Sequence, residues 1–285
     1  MNGVVSFANL RQENNRTLTF SGRNGYGVTI SAVNASGSGN QSEGFTNSGN
    51  GLVTINGNIW SEADSTARTM TITATGEMML SGSVLATVAN HVFTKAGTGR
   101  LTMTGGASTF LGATNVNAGT VRVTDIGALN SATSYASVVF ATGGRLEYSG
   151  AGQTWAKGLL NNNATSILAA EGSGALVLNT NIGNFGTGAK TFALGGSSQL
   201  ANELTGIVTN NTVGAGLTKL GSGTWQLTSP ATTSAVIGTA SSAIAVSATG
   251  TTATNTIALS SGTTAGLVVG QPISGTGITL GSVIT

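Results

Sequence analysis

Cysteine is absent from the 285 residues of this chain, and proline occurs only twice. The absence of cysteine excludes disulfides, thiolate metal sites and cysteine catalysis. Charged residues make up 7% of the chain, against about 25% in ordinary globular proteins. Serine, threonine and asparagine must therefore cover much of the surface.

Basic patches and long apolar runs are missing as well. Eleven basic residues balance nine acidic ones and are scattered along the sequence. The chain therefore lacks a basic patch that could bind the phosphates of a nucleic acid. No apolar run approaches the ~18 residues of a membrane-spanning helix. The first residues lack the features of a signal peptide, and the last residues stop inside a strand-like pattern. We therefore expect a fragment, or one unit of a larger polymer, with no nucleic-acid partner and no transmembrane segment.

Glycine and small aliphatic residues dominate what is present, with 44 glycines in the chain. The aliphatic content and the net charge of only +2 are both untypical of disordered chains. We expect a packed chain whose core holds many small aliphatic side chains and few aromatic ones.

A short unit recurs in which a small residue, Gly, any residue and Gly precede alternating apolar and polar positions. Four copies lie at 48–57, 96–105, 171–178 and 220–228. Their paired glycines are Gly49 and Gly51, Gly97 and Gly99, Gly172 and Gly174, and Gly221 and Gly223. Because glycine tolerates backbone angles that a side chain forbids, we predict that these pairs are structural turn residues at corners between strands.

The alternation after each glycine pair predicts short, half-buried strands, as at 101–103 and 225–227. Helical periodicity is nearly absent. A solenoid of stacked coils and an antiparallel sandwich both fit this all-β pattern. The repeats favour the solenoid, with roughly 20 residues in each coil. Asparagine-rich turns at 161–163 and 210–211 suit ladders of side-chain amides between coils.

One segment carries a family resemblance. Residues 95–105 read KAGTGRLTMTG and continue at 109–123 as TFLGATNVNAGTVRV. This sequence resembles the autotransporter-associated β-strand repeat, with Val121 where leucine is usual; residues 217–228, LTKLGSGTWQLT, match its first half. The resemblance implies a right-handed parallel β-helix from the passenger region of bacterial autotransporters, where such segments act as adhesins or stalks and share no catalytic residues.

The chain divides into two predicted parts. Residues 1–229 are predicted to form the β-solenoid, and residues 230–285 a small, uncharged β module rich in threonine, alanine and glycine. Around 267–278 the second part resembles small β modules of bacterial surface proteins and phage fibres. Since a charge-free β segment lacks residues that prevent edge-to-edge pairing, we interpret this module as truncated or as an assembly interface, with a plain linker as the alternative.

Few residues are candidates for catalysis. His91 stands beside apolar residues, and we interpret it as structural. Glu62 and Asp64 could share one face of a strand and cleave a glycosidic bond, but a solvated turn explains them better, and they are too few for calcium. Residues 183–191 resemble a phosphate-binding loop, yet Ala189 interrupts the pattern and no helix follows. We predict no catalytic residue, no cofactor and no metal site.

Exposed aromatic side chains could stack on sugars. Trp60 and Trp155 are the candidates, whereas Tyr148 and Trp225 occupy strand positions typical of core or coil-edge packing. The leading hypothesis is a non-enzymatic, extracellular or cell-surface β-solenoid that serves as a stalk, adhesin or self-assembling fibre segment of a bacterial surface protein. Its partner would be another copy of the chain or a cell-surface or glycan ligand. The alternative is a phage tail fibre or tailspike that binds, or as a weaker option cleaves, surface glycans.

Overall fold

A computed structural model describes residues 3–13, 15–21, 25–36, 42–61, 68–86, 91–131, 137–141, 143–163, 165–209, 214–228, 236–239, 247–250 and 257–261. The described residues form 29 strands and one short 3₁₀ helix, Ile126–Ala128. The chain divides into two compact units, Met1–Ile237 and Gly238–Thr285. The boundary expected after residue 229 stays a prediction.

The strands follow one another in chain order. The first fifteen are β1 (Val4–Phe7), β2 (Leu10–Glu13), β3 (Thr17–Phe20), β4 (Gly27–Ile30), β5 (Val33–Ser36), β6 (Ser42–Asn47), β7 (Val53–Ile55), β8 (Ile59–Ser61), β9 (Thr69–Ala74), β10 (Met78–Leu80), β11 (Val84–Ala86), β12 (Val92–Ala96), β13 (Arg100–Met103), β14 (Thr114–Val116) and β15 (Thr120–Val123). The others are β16 (Val138–Phe140), β17 (Arg145–Tyr148), β18 (Ala151–Trp155), β19 (Leu159–Asn161), β20 (Thr165–Ala170), β21 (Gly174–Leu178), β22 (Ile182–Asn184), β23 (Lys190–Gly196), β24 (Asn202–Leu204), β25 (Ala215–Lys219), β26 (Trp225–Leu227), β27 (Val236–Thr239), β28 (Ser247–Gly250) and β29 (Ile257–Ser261).

Strands from successive coils pair in parallel. One sheet has eleven strands in the order β1-β4-β7-β10-β13-β15-β17-β20-β23-β25-β27. A second has eight, in the order β22-β19-β16-β14-β12-β9-β6-β3. Two four-stranded sheets, β11-β8-β5-β2 and β18-β21-β24-β26, come from the earlier and later parts of the chain. This parallel stacking confirms the predicted all-β solenoid and excludes the antiparallel sandwich.

The coils are longer than the repeat suggested. In the eleven-stranded sheet, equivalent residues are separated by as few as 20 positions, between Leu101 and Val121, and by as many as 26, between Leu168 and Leu194. The shortest coil contains the clearest copy of the repeat. The prediction of roughly 20 residues therefore describes the tightest coil, and longer corners lengthen the others.

A continuous apolar column fills the interior, because alternate residues of strands such as β9, β10, β13 and β15 point inward. One inner position carries a buried aliphatic or sulfur-containing side chain in five successive coils: Ile30, Ile55, Leu80, Met103 and Val123. Each such burial contributes roughly 1.5–3 kcal/mol. Five phenylalanines are also among the largest fully buried side chains, so the interior holds more aromatic rings than expected.

The second unit is described by itself, through its two strands β28 and β29. These pair antiparallel, with a register shift between Ser247 and Ala248. Residues 267–278, which carry the resemblance to a small β module, lie outside the described residues.

Candidate binding surface

The predicted corner glycines lie where neighbouring coils approach most closely. A Cβ atom on Gly51, Gly99 or Gly174 would lie 1.8–2.0 Å from a backbone carbonyl oxygen of the preceding coil. Gly172 and Gly223 would make similar contacts, at 2.3 and 2.7 Å. Such contacts are impossible without separating the coils. The role of these glycines in forming the corners stays a proposal.

Two of the predicted glycines also have backbone angles that favour glycine. Gly97 has a φ of +76° and Gly221 a φ of +70°. Each is the first glycine of its pair and follows a lysine by two residues. Gly49, the first glycine of the earliest pair, donates its backbone N–H to Asn47 Oδ1 at 3.1 Å.

A buried lysine holds one of these corners from inside. Lys95 is fully buried, and its Nζ donates to the carbonyl oxygens of Ala96 and Gly97, both at 2.7 Å, and of Ala118 at 3.2 Å. Burial lowers the pKa of Lys95 to about 8. The lysine therefore joins its own corner to the next coil.

The copy of the repeat at 220–228 has a similar arrangement. Lys219 Nζ donates to the carbonyl oxygens of Leu220 at 2.9 Å and Gly221 at 2.6 Å, with the side chain only partly buried. Sequence reasoning centred on the glycines and missed this role of the lysines. The available signal was the lysine at the same place, two residues before the first glycine, in both copies.

Asparagine side chains connect neighbouring coils, as the asparagine-rich turn at 161–163 predicted. Asn161 Nδ2 donates to Asn184 Oδ1 at 3.2 Å, one coil away, and Asn184 Nδ2 donates to the carbonyl oxygen of Thr209 in the following coil. Residues 210–211, the other expected ladder position, lie outside the described residues. The amide ladder at 161 thus spans two coil steps.

A charged cluster is buried where three neighbouring strands of the eight-stranded sheet, β6, β9 and β12, begin. Arg68 Nη1 donates to Glu43 Oε1 at 2.9 Å, and both side chains are almost completely buried. His91 lies in the next coil, fully buried, with its ring edge-on to Phe110 and the ring centroids 6.2 Å apart. These residues bring two charges and an imidazole into the core.

The buried cluster shifts two pKa values in opposite directions. Burial, together with the charge of Arg68, lowers the pKa of His91 to about 4. Burial raises the pKa of Glu43, and the charge and hydrogen bond of Arg68 offset this only in part. His91 is therefore neutral at pH 7 and lies in the core, away from any surface on which a substrate could bind.

The outer face of the eleven-stranded sheet carries a ladder of alternating charges, which we call the charge ladder. Arg100 Nη1 lies 3.3 Å from Glu77 Oε1, and Arg122 Nε donates to Glu147 Oε2 at 2.9 Å. The ladder has six members: Glu77, Arg100, Arg122, Arg145, Glu147 and Glu171. Three arginines therefore balance three glutamates across neighbouring coils.

Glu147 is the centre of the charge ladder. It also accepts from Arg145 Nε at 2.8 Å, and Arg145 Nη2 continues to Glu171 Oε1 at 3.2 Å. Burial alone would raise the pKa of Glu147, but hydrogen bonds and charges from Arg145 and Arg122 outweigh it and hold the pKa below its usual value. The ladder satisfies its own charges, so it joins coils rather than offering a charged patch to a ligand.

The aromatic candidates separate into core and surface. Trp155 is fully buried and its Nε1 donates to the carbonyl oxygen of Lys157 at 2.8 Å, so the prediction that it could stack on sugars is wrong. Alternation on β18 turns its ring into the core. Tyr148 is also buried, and Trp225 Nε1 donates to the carbonyl oxygen of Gly195 at 2.9 Å. Trp60, by contrast, is 52% exposed.

The other candidates for chemistry do not gather into a site. Glu62 and Asp64 lie outside the described residues. The loop that resembles a phosphate-binding loop leads into strand β23 at Lys190 rather than into a helix. Across the described ranges, no group of three potential metal ligands occurs, and no helix is long and apolar enough to cross a membrane.

Comparison with known proteins agrees with the resemblance found in the sequence. Residues 93–123 and 217–235 match the family model of the passenger-associated-transport-repeat. The chain is 32% identical over 144 residues to the adhesin BmaC autotransporter of Brucella suis biovar 1 (strain 1330). That match covers 47% of this chain and 4% of the adhesin, so the chain spans a small part of that relative's length. No solved structure matches.

Proposed function

We propose that this chain is a non-enzymatic segment of a bacterial surface adhesin that acts outside the cell as a rigid solenoid. The observation that carries the proposal is the parallel stacking of coils in the eleven-stranded sheet, joined on its outer face by the charge ladder. The two repeat matches and the adhesin relative support it. A rigid stack of coils presents its outer side chains at fixed spacing, which suits binding through many weak contacts.

Adhesion can be tested with beads that carry the purified full chain. We expect such beads to attach to cultured animal cells or to polysaccharide-coated wells more strongly than beads that carry albumin. Heat-denatured chain on the same beads is the control for nonspecific adsorption. Folded chain that attaches no better than albumin to any of these surfaces would contradict an adhesive role and leave only that of a stalk.

Assembly with a second copy is a second candidate, favoured by the charge-free sequence after Lys219. A β segment of this composition lacks the charged residues that prevent edge-to-edge pairing. Sedimentation velocity should then show association that rises with concentration and weakens in Val268→Lys, whereas a concentration-independent monomer would exclude it.

A further inference from the structure

Trp60 stands out because its strand places it on the solvent side. Its neighbour Ile59 is fully buried, so alternation on β8 turns the indole outward. The two other tryptophans donate their indole N–H groups to backbone carbonyls. Among the residues that the structure describes, none accepts a hydrogen bond from Trp60 Nε1. The exposed half of the indole can therefore contact a ligand.

Parallel register aligns Trp60 with three further side chains, one on each strand of its sheet. Arg11 pairs with Asn34, Asn34 with Trp60, and Trp60 with Leu85. We call these four residues the Trp60 row. Neighbouring strands are about 4.8 Å apart, so the row extends over roughly 14 Å along the stack of coils. Arg11 and Asn34 are exposed and Leu85 is partly exposed.

The chemistry of the Trp60 row suits a carbohydrate. The flat C–H face of a pyranose ring packs on the electron-rich face of an indole. Sugar hydroxyl groups accept from guanidinium and amide N–H groups, and an amide oxygen accepts from them in turn. Arg11 is also 3.9 Å from Glu13, whose carboxylate can accept from a hydroxyl. A row of such groups along the coils matches an extended sugar chain better than one monosaccharide.

A protein partner fits the Trp60 row less well. Tryptophan and arginine are common in protein interfaces, but their energetic centre is apolar and each partner buries about 800 Å². In this row only Trp60 and Leu85 are apolar, and the amide and guanidinium groups lie on one side of the indole. The two polar members, together with the indole N–H group, favour a ligand that carries many hydroxyl groups.

We infer that the Trp60 row binds an extended neutral glycan, with one sugar ring stacked on Trp60 and neighbouring hydroxyl groups held by Asn34 and Arg11. This inference rests on the proposed adhesive function and names its ligand class. Because the row lies on paired strands, its backbone is ordered before binding, and the cost of ordering on binding falls on the side chains, chiefly Arg11.

The test uses the full chain with cellohexaose, chitohexaose and maltohexaose as probes. We expect at least one hexasaccharide to shift the tryptophan emission and to protect Trp60 from quenching by acrylamide. Affinity electrophoresis in soluble polysaccharide should show a loss of at least tenfold in affinity for Trp60→Ala and a smaller loss for Asn34→Ala. Phe185→Ala is the matched control, because Phe185 is also an exposed aromatic (61%) but lies outside the row.

The outcomes separate this inference from the proposed function. Failure of all three hexasaccharides to protect Trp60, or an equal loss of affinity in Phe185→Ala, would overturn the glycan site. If beads carrying Trp60→Ala still attach as strongly as the parent chain, adhesion stands and the Trp60 row is not its site. If Trp60→Ala abolishes attachment to cells while no hexasaccharide binds, the row recognises protein and the glycan inference is wrong.

Discussion

Replacing Lys95 with methionine removes one ammonium group from the core while keeping a side chain of similar length and shape. In the parent chain that group donates to three backbone carbonyl oxygens, two in its own corner and one in the next coil. The methionine thioether donates nothing. Lys95→Met therefore leaves three partly buried acceptors without this donor and weakens the joint between two coils.

The size of the effect follows from two opposing contributions. A buried acceptor that loses its partner costs about 1–3 kcal/mol, and since these three are only partly buried, together they cost roughly 4 kcal/mol. Methionine also avoids the burial of a charge, whose cost is evident in the lowered pKa of Lys95, and this returns part of the loss. We expect a net destabilisation of about 2 kcal/mol. For a unit of this size the melting temperature should fall by roughly 4–8 °C.

Thermal unfolding followed by circular dichroism measures the total effect. Hydrogen exchange locates it, because coils of a solenoid can open locally. Protection should fall most in β13 and β15, next to the corner. Lys219→Met is the matched control: its ammonium group bonds two carbonyls and is only partly buried, so water can replace it and the loss should stay below about 1 kcal/mol. Equal losses in the two variants would refute the reasoning.

Three further predictions concern acid, charge and corners. His91 has a pKa of about 4 in the folded chain against 6.5 in the unfolded one, so between these values the unfolded state binds more protons. The free energy of unfolding should therefore fall by up to about 3 kcal/mol as the pH drops from 6.5 to 4. In urea titrations at several pH values, His91→Leu should make the free energy of unfolding less dependent on pH in this range, and an unchanged pH dependence would contradict the prediction. Glu147→Gln should destabilise the chain by about 2 kcal/mol in urea titrations, because it removes the negative charge shared by Arg122 and Arg145 at a carboxylate that is only 7% exposed. Glu77→Gln, at a carboxylate 65% exposed, should change stability by less than about 0.5 kcal/mol. A larger loss of stability in Glu77→Gln than in Glu147→Gln would contradict the role of the charge ladder in joining coils. Gly51→Ala should cost more than about 3 kcal/mol, since its Cβ would lie 1.8 Å from a backbone oxygen, whereas Gly106→Ala, with nothing nearer than 4.0 Å, should be neutral in the same melts.

The alternation of apolar and polar residues and the spacing of the glycines were enough to predict the fold, because both patterns depend only on residues close together in the sequence. The residues Leu101 and Met103 alternate with polar ones, and their inward positions in the column follow directly from that pattern. The glycine pairs predicted where corners lie. The main reason for glycine at these positions is the close approach of a neighbouring coil, whose residues are about one coil away in the sequence. Local pattern therefore revealed the architecture but not the contacts that require it.

Contacts between coils could not be predicted, because the number of residues per coil varies from corner to corner. Arg68 reaches Glu43 across 25 positions, and Arg122 reaches Glu147 across the same separation. A uniform coil of roughly 20 residues would misalign both pairs. Lys95 was missed for a different reason: a lysine in a strand is normally assigned to the outer face, and only the structure shows three carbonyls inside that accept from it.

The contacts that join the coils and the surface proposed to bind glycan lie on different parts of the solenoid. Apolar columns, corner lysines and buried amides act from inside, and the charge ladder acts on the eleven-stranded sheet. The Trp60 row lies on the outer face of a four-stranded sheet, where its side chains are exposed or partly exposed. Substitutions of Arg11 or Asn34 should therefore change binding with little change in the melting temperature, whereas substitutions at Lys95 or Glu147 should do the opposite. A scaffold organised in this way can vary the outer residues of one face while the others maintain the stack of coils.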